Sequence, residues 1–292
     1  MLQEIFSIVF PVFAIVLAGY LYGRKHLPDM ASANKINIEI FVPALIFSVL
    51  SGKSFEITDF NSLLAGSCFV VLASGIIAWP IARMMNWQVK TFVPPVMFTN
   101  SGNMGLPLAL FAFGEQALPA AVMLFIVENT LHFTVGMKIM NRQASLLGIF
   151  RLPMLVATLL GLLVSLMQIE IPAVIARPID MVGQVAIPLM LFSLGVRLLS
   201  VDYRDWRIGA ASAIVTPFSG LLLAALYLTF FDMPAEQVPL FILFGALPPA
   251  VLNFMVAEKF NQEPARVASI VMIGNLASII VIPLTLLFVL QT

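Results

Sequence analysis

FTNSGNMGLPL, residues 98–108, sets amides, hydroxyl groups, two glycines and a proline in the middle of an apolar stretch running from 92 to 113. The surrounding chain has 292 residues, of which 61% are hydrophobic and only 10% charged, against roughly 25% charged in an average soluble domain. Its mean hydropathy is +1.03. This is the composition of a polytopic membrane protein, in which a polar cluster inside a span is costly and calls for a reason. Net charge is zero, and the basic residues fall in short connectors, so nothing marks a nucleic-acid footprint. The single cysteine, Cys68, excludes a disulfide framework or a Cys/His metal cluster. The N-terminal MLQEIFSIVFPVFAIVLAGYLYG carries Glu4 where a signal peptide would have Lys or Arg, and reads as a first span.

A membrane helix needs about 20 largely apolar residues, and its backbone must be satisfied internally. Ten segments qualify, approximately 4–23, 34–51, 60–84, 92–113, 118–139, 148–168, 179–199, 207–231, 237–257 and 264–289. The second and seventh read as short; the fourth and ninth are interrupted by Gly or Pro. All of the 15 Lys and Arg except Lys53 and Arg177 lie in odd-numbered connectors. The positive-inside rule then puts those connectors in the cytoplasm and both termini on the outer, periplasmic side.

The two halves echo each other. PVFAIVLAGYL from Pro11 aligns with PMLVATLLGLL from Pro153, pairing Gly19 with Gly161, and VPALIFSV (42–49) aligns with IPLMLFSL (187–194), pairing Phe47 with Phe192. PAAV from Pro119 answers PARV from Pro264, and Glu128-Asn129 falls opposite Gly274-Asn275. Five spans per repeat is odd, so the halves cross the bilayer in opposite senses. Domain bounds of 1–143 and 144–292 follow. The expected fold is all-α, with ten transmembrane helices in two inverted five-helix repeats.

In that frame the opening segment has a partner, LFGALPPAVLNFMVAEKF (243–260), with Phe98 opposite Phe244 and Gly102-Asn103 opposite Pro248-Pro249. Paired Gly/Pro-interrupted spans are the sequence pointer to a midplane transport site. Gly102, Gly105 and Pro107 are the expected helix breakers, since Gly weakens and Pro interrupts a helix interior. A broken helix offers free N–H groups and a positive dipole end to an anion. Asn100, Ser101, Asn103, Pro248, Pro249 and Asn253 are the candidate substrate-binding residues. Small and polar residues also mediate simple helix packing, the competing account for any one of them.

At these residues the chain resembles the auxin efflux carrier family of secondary transporters. TNSGNMGLPL (99–108) with Gly114 resembles its fourth-helix signature, and ALPPAVLNFMVAEKF (246–260) its ninth. LAGYLYGR (17–24), FVPALIFSVL (41–50) and FSLGVRL (192–198) extend the likeness over the whole chain. The resemblance implies that helices 4 and 9 cross as an X, that helices 3–5 and 8–10 form a mobile transport domain, and that helices 1–2 and 6–7 form a scaffold, a homodimer through the scaffold being a candidate assembly. It implies an elevator-type carrier of a small organic anion, a malate- or malonate-like carboxylate or an auxin-like acid, with Asn100 matching a substrate-contacting asparagine. The third span, 60–84, has no acid, so the charged support site of plant members does not carry over; the long central loop of those members is also missing.

Ionisable groups within spans are functional candidates. Glu128, with Asn129 beside it and His132 one turn on, is a candidate proton carrier; Asn129 and Asn275 are candidates for a Na⁺ site. No other cofactor and no metal centre is expected, with H⁺ or Na⁺ as coupling ion. The leading function is an alternating-access carrier in a bacterial inner membrane, its partners the anion and the bilayer. The alternative is a non-transporting receptor for a small carboxylate. HExxH, GxSxG and paired-Asp motifs are absent, which argues against an enzyme.

Overall fold

A computed structural model describes residues 2–52, 57–143, 152–200 and 205–291. Among them the chain forms α1 (Leu2–His26), α2 (Ala31–Leu50), α3 (Asn61–Met84), α4 (Val89–Met97), α5 (Ser101–Phe113) and α6 (Glu115–Met140) in the first half. The second half contributes α7 (Pro153–Leu166), α8 (Ala173–Arg197), α9 (Trp206–Phe230), α10 (Val238–Gly245), α11 (Leu252–Lys259) and α12 (Pro264–Val289). No strand is present among the described residues, and 7 helices are long and apolar enough to cross a membrane.

The difference from ten has local causes. The fourth and ninth expected spans are each two helices, α4 with α5 and α10 with α11, so neither makes one long rod. The sixth appears as α7, of 14 residues. Its expected start at 148, the boundary between 143 and 144, and the cations Lys53, Arg151 and Arg204 lie outside the described residues. The two spans read as short are not short: α2 has 20 residues and α8 has 25.

Packing follows from where the chain omits side chains. Helix α1 lies along α8. A Cβ at Gly19 would collide with the Phe192 carbonyl, and one at Gly195 with that of Val16, so this crossing closes backbone to backbone. Helix α2 lies on α7 and on the first part of α8, where a Cβ at Gly161 would sit 3.0 Å from Cβ of Leu50. In the remaining helices α3 packs against α4, α6 and α9, while α9 packs against α10 and α12. Phe6, Phe10, Ile76, Trp79, Ile214, Phe218, Ile280 and Leu284 stay exposed, as side chains that face lipid do. The core between the helices is filled by Ile46, Leu50, Leu63, Leu106, Leu191, Leu194 and Leu243.

The crossing of two broken helices and its cavity

Between α4 and α5, and between α10 and α11, the chain leaves the helix and the two breaks meet. The Asn100 N–H donates to the Pro248 carbonyl at 2.7 Å and the Ala250 N–H to the Phe98 carbonyl at 3.0 Å, making Thr99 and Pro249 a one-residue antiparallel bridge. Buried amides and carbonyls released from a helix in lipid must find partners. Here each break satisfies the other.

Three amide side chains brace this junction. Asn253 Nδ2 donates to the carbonyls of Phe98 at 2.8 Å and Ala250 at 3.0 Å. Asn275 Nδ2 donates to Pro249 O at 3.0 Å and to Val271 O at 2.7 Å. Its Oδ1 accepts from Asn100 Nδ2 at 2.9 Å.

The breaks fall at 98–100 and 246–251, not at the expected breakers. Gly102 and Gly105 lie within a π-type turn, Ser101–Gly105, which runs on into the α-helix at Leu106. Their missing side chains admit other residues: a Cβ at Gly102 would stand 2.7 Å from the Phe125 ring, and one at Gly105 2.8 Å from the ring of Phe244. Pro107 supplies no N–H to the carbonyls one turn back, at Gly102 and Asn103.

Beside the junction lies a cavity of about 150 Å³. Asn100, Ser101, Gly102, Asn103, Glu128, Asn129 and His132 all line it. Pro248, Pro249, Asn253, Asn275, Gly105 and Pro107 do not; the first four build the frame behind it. The far wall comes from α2, α7 and α8, through Asn34, Asn37, Met154, Met190, Ser193 and Arg197. Ser193 Oγ donates to Asn34 Oδ1 at 2.6 Å, and His132 lies flat on Phe98 with ring centroids 4.2 Å apart. Glu128 is only 5% exposed. The hydroxyls of Thr99 and Ser101 approach its carboxyl, but among the described residues Oε1 has no hydrogen-bond partner.

All three π turns of the described residues, Asn37–Phe41, Ser101–Gly105 and His132–Gly136, put residues on this cavity. A π turn adds a residue to the helical ring and re-aims the side chains around it, and such turns concentrate at functional sites. The first N–H groups of α5, at Ser101, Gly102 and Asn103, have no acceptor within the helix. With Arg197 on the facing wall, they are positive groups on this lining, and the amides supply neutral donors and acceptors.

A wider cavity of about 740 Å³, bordered by Asp29, Lys35, Glu39 and Glu258, shares Asn34, Ile38, Arg197 and Met255 with the first. Those four residues form the threshold between them. Sequence reasoning missed the α2 and α8 residues. Arg197 was legible as a cation and as part of FSLGVRL, yet it counted only as a connector charge; Asn34 and Asn37 carried no motif at all.

A profile described as membrane transport protein matches residues 4–149 and 142–286. A protein named "Putative malonate transporter" from Rhizobium meliloti (strain 1021) is 27% identical over 302 residues, covering 95% of this chain and 93% of that one. An uncharacterized transporter of Methanocaldococcus jannaschii is 24% identical over 301 residues, 95% of this chain and 96% of that protein. Auxin efflux carrier component 1 of Arabidopsis thaliana is 27% identical over 150 residues, 48% of this chain and 23% of that protein.

Proposed function

Because the chain belongs to the membrane transport protein family, that of the auxin efflux carriers, we propose that it is a secondary carrier of a small organic anion working by alternating access. The observation that carries this reading is the junction at Thr99 and Pro249, where two broken helices meet beside a polar cavity. The α5 N-terminus receives a carboxylate through the N–H groups at 101–103, with Asn103, Asn129 and Ser101 completing the donors. Asn100 both faces the anion and ties the α5 break to Asn275. Arg197 stands across the cavity and draws anions over the threshold.

Ten spans in two inverted repeats are part of the proposal, with residues 1–143 and 144–292 as the halves. Exchange-related packing supports them. Gly19 lies against Phe192 and Gly161 against Phe47, the same pairing with the halves swapped. Likewise α1 with α8 answers α7 with α2, and α3 with α6 answers α9 with α12. The group α1, α2, α7 and α8 would be the scaffold, and the remaining helices the part that moves. Odd connectors in the cytoplasm make the wide cavity the cytoplasmic vestibule and leave both termini periplasmic. A short dicarboxylate of malonate type is the substrate class favoured by the name of the Rhizobium meliloti relative and by the presence of both a helix N-terminus and Arg197 on one cavity.

Counterflow in proteoliposomes loaded with malonate, malate, acetate or indole-3-acetate tests the function. Saturable exchange of at least one of them, lost in Asn103→Ala together with Ser101→Ala, is expected. Binding without exchange under any imposed gradient would replace the carrier by a receptor. Exchange that survives in the double variant would remove the α5 end from the site.

A further inference from the structure

A second, smaller cavity of about 30 Å³ lies behind the junction, and Thr99 and Glu128 line it as well as the large one. Its other polar lining is made of hydroxyls, Ser67 and Ser74 of α3 and Thr216 of α9. These three are 6%, 2% and 1% exposed. We infer that this chamber holds one dehydrated monovalent cation, of sodium size, between Glu128 and the hydroxyls of Ser67, Ser74, Thr99 and Thr216.

The argument rests on charge, donors and room. Among the described residues no Lys, Arg or His lines the chamber, and Glu128 is the one carboxyl there. On the side of the large cavity its neighbours are His132 and Arg197, which share that lining. A carboxyl with a partnerless Oε1 at 5% exposure is expensive unless something compensates it. One carboxylate matches one positive charge; a divalent ion would be left with a surplus. Hydroxyl and carboxylate oxygens are hard donors, suited to an alkali ion and unsuited to a transition metal. Ser74 Oγ donates to the Val71 carbonyl at 2.9 Å, which turns its lone pairs toward other ligands. The volume exceeds the roughly 10–15 Å³ that one water-sized occupant needs, and falls far short of an organic substrate.

Position couples the two sites. An anion in the large cavity sits on the other side of Glu128 and Thr99 from the chamber, so a cation there removes the repulsion that an ionised Glu128 would exert on it. Coupling of this kind is reciprocal: the anion raises cation affinity by the same factor as the cation raises anion affinity. Only this coupling rests on the carrier reading; the cation site itself does not.

The test therefore starts without any organic anion. Thermal unfolding of the full purified chain is followed while NaCl replaces choline chloride at constant ionic strength. A saturable rise in Tm is expected, smaller with KCl. Ser74→Ala and Thr216→Val should each move the sodium midpoint upward by about tenfold, and Glu128→Gln, which keeps the shape and removes the charge, should abolish the response. Ser67→Ala, the mildest change, stands in if either of the others does not fold. A Tm indifferent to sodium, or midpoints unchanged in the hydroxyl variants, overturns the site. A sodium response in a protein that exchanges no carboxylate would sink the carrier reading and leave the cation site standing.

Discussion

Replacing Asn275 by Ala removes three hydrogen bonds at once, those with Asn100, Pro249 O and Val271 O. Val271 O retains its place in the α12 ladder, but Pro249 O and the Asn100 amide lose a partner in a buried junction. Interhelical hydrogen bonds in membranes average about 0.6 kcal/mol, and a buried orphan costs about 1–3 kcal/mol. Asn100 also faces the cavity, where water can replace one bond, so the sum is about 1–4 kcal/mol. For a chain of this size each kcal/mol moves Tm by about 2 °C, which predicts a fall of about 2–8 °C. The control is the residue opposite Asn275 in the proposed repeat. Asn129 Nδ2 donates to Phe125 O within its own helix at 2.9 Å, and among the described residues no hydrogen bond links its side chain to the junction. Asn129→Ala should shift Tm by less than about 2 °C while weakening carboxylate binding. Differential scanning fluorimetry in one detergent, with and without carboxylate, measures both effects. Equal Tm shifts in the two variants, or none at Asn275, would refute the division between frame and cavity.

Gly195→Val should prevent α1 from closing on α8, because even a Cβ there meets the Val16 carbonyl; size-exclusion chromatography is expected to show lost or aggregated protein, whereas Gly52→Ala, whose Cβ would meet the Val49 carbonyl at an ordinary 3.5 Å among the described residues, should behave as wild type. Arg197→Gln should lower carboxylate affinity by about tenfold and flatten its dependence on ionic strength, read by titration at low and moderate salt. With Cys68 replaced by Ala, a single cysteine at Asn34 should react with a membrane-impermeant thiol reagent from the vestibule side alone. Labelling from both faces would contradict the threshold formed by Asn34, Ile38, Arg197 and Met255.

Much of this architecture was legible because membrane burial turns sequence into a strong signal. Apolar runs located the helices, and Pro and Gly marked the two that break. The chemistry at 99–103 and 128–132 stood out because amides, a carboxyl and an imidazole are conspicuous among Leu, Val and Phe. Placement of the breaks was less legible. A glycine reads as a helix breaker, yet Gly102 and Gly105 act through the space they leave for Phe125 and Phe244. The interruption belongs to Phe98–Asn100, whose backbone is held out of the helix by Pro248 and Ala250 from the other half. Asn253 and Asn275 look like ligands in a one-dimensional reading, since only the fold reveals that carbonyls of the junction absorb their donors. The wall from α2 and α8 was invisible for the same reason. Asn34, Asn37 and Ser193 are unremarkable until the π turn at Asn37–Phe41 and the α8 packing bring them together.

The bridge at Thr99 and Pro249 also bears on how the chain is made. Residues 1–143 alone would present the Phe98 carbonyl and the Asn100 N–H to hydrocarbon with no acceptor or donor to meet them, and α1 would keep a bare backbone groove where Phe192 belongs. During synthesis the first half must therefore wait for the second before its central turn can dry out. Two separately produced fragments, divided between 144 and 151, should rescue one another in the same membrane, while either by itself should be a substrate for quality-control proteolysis.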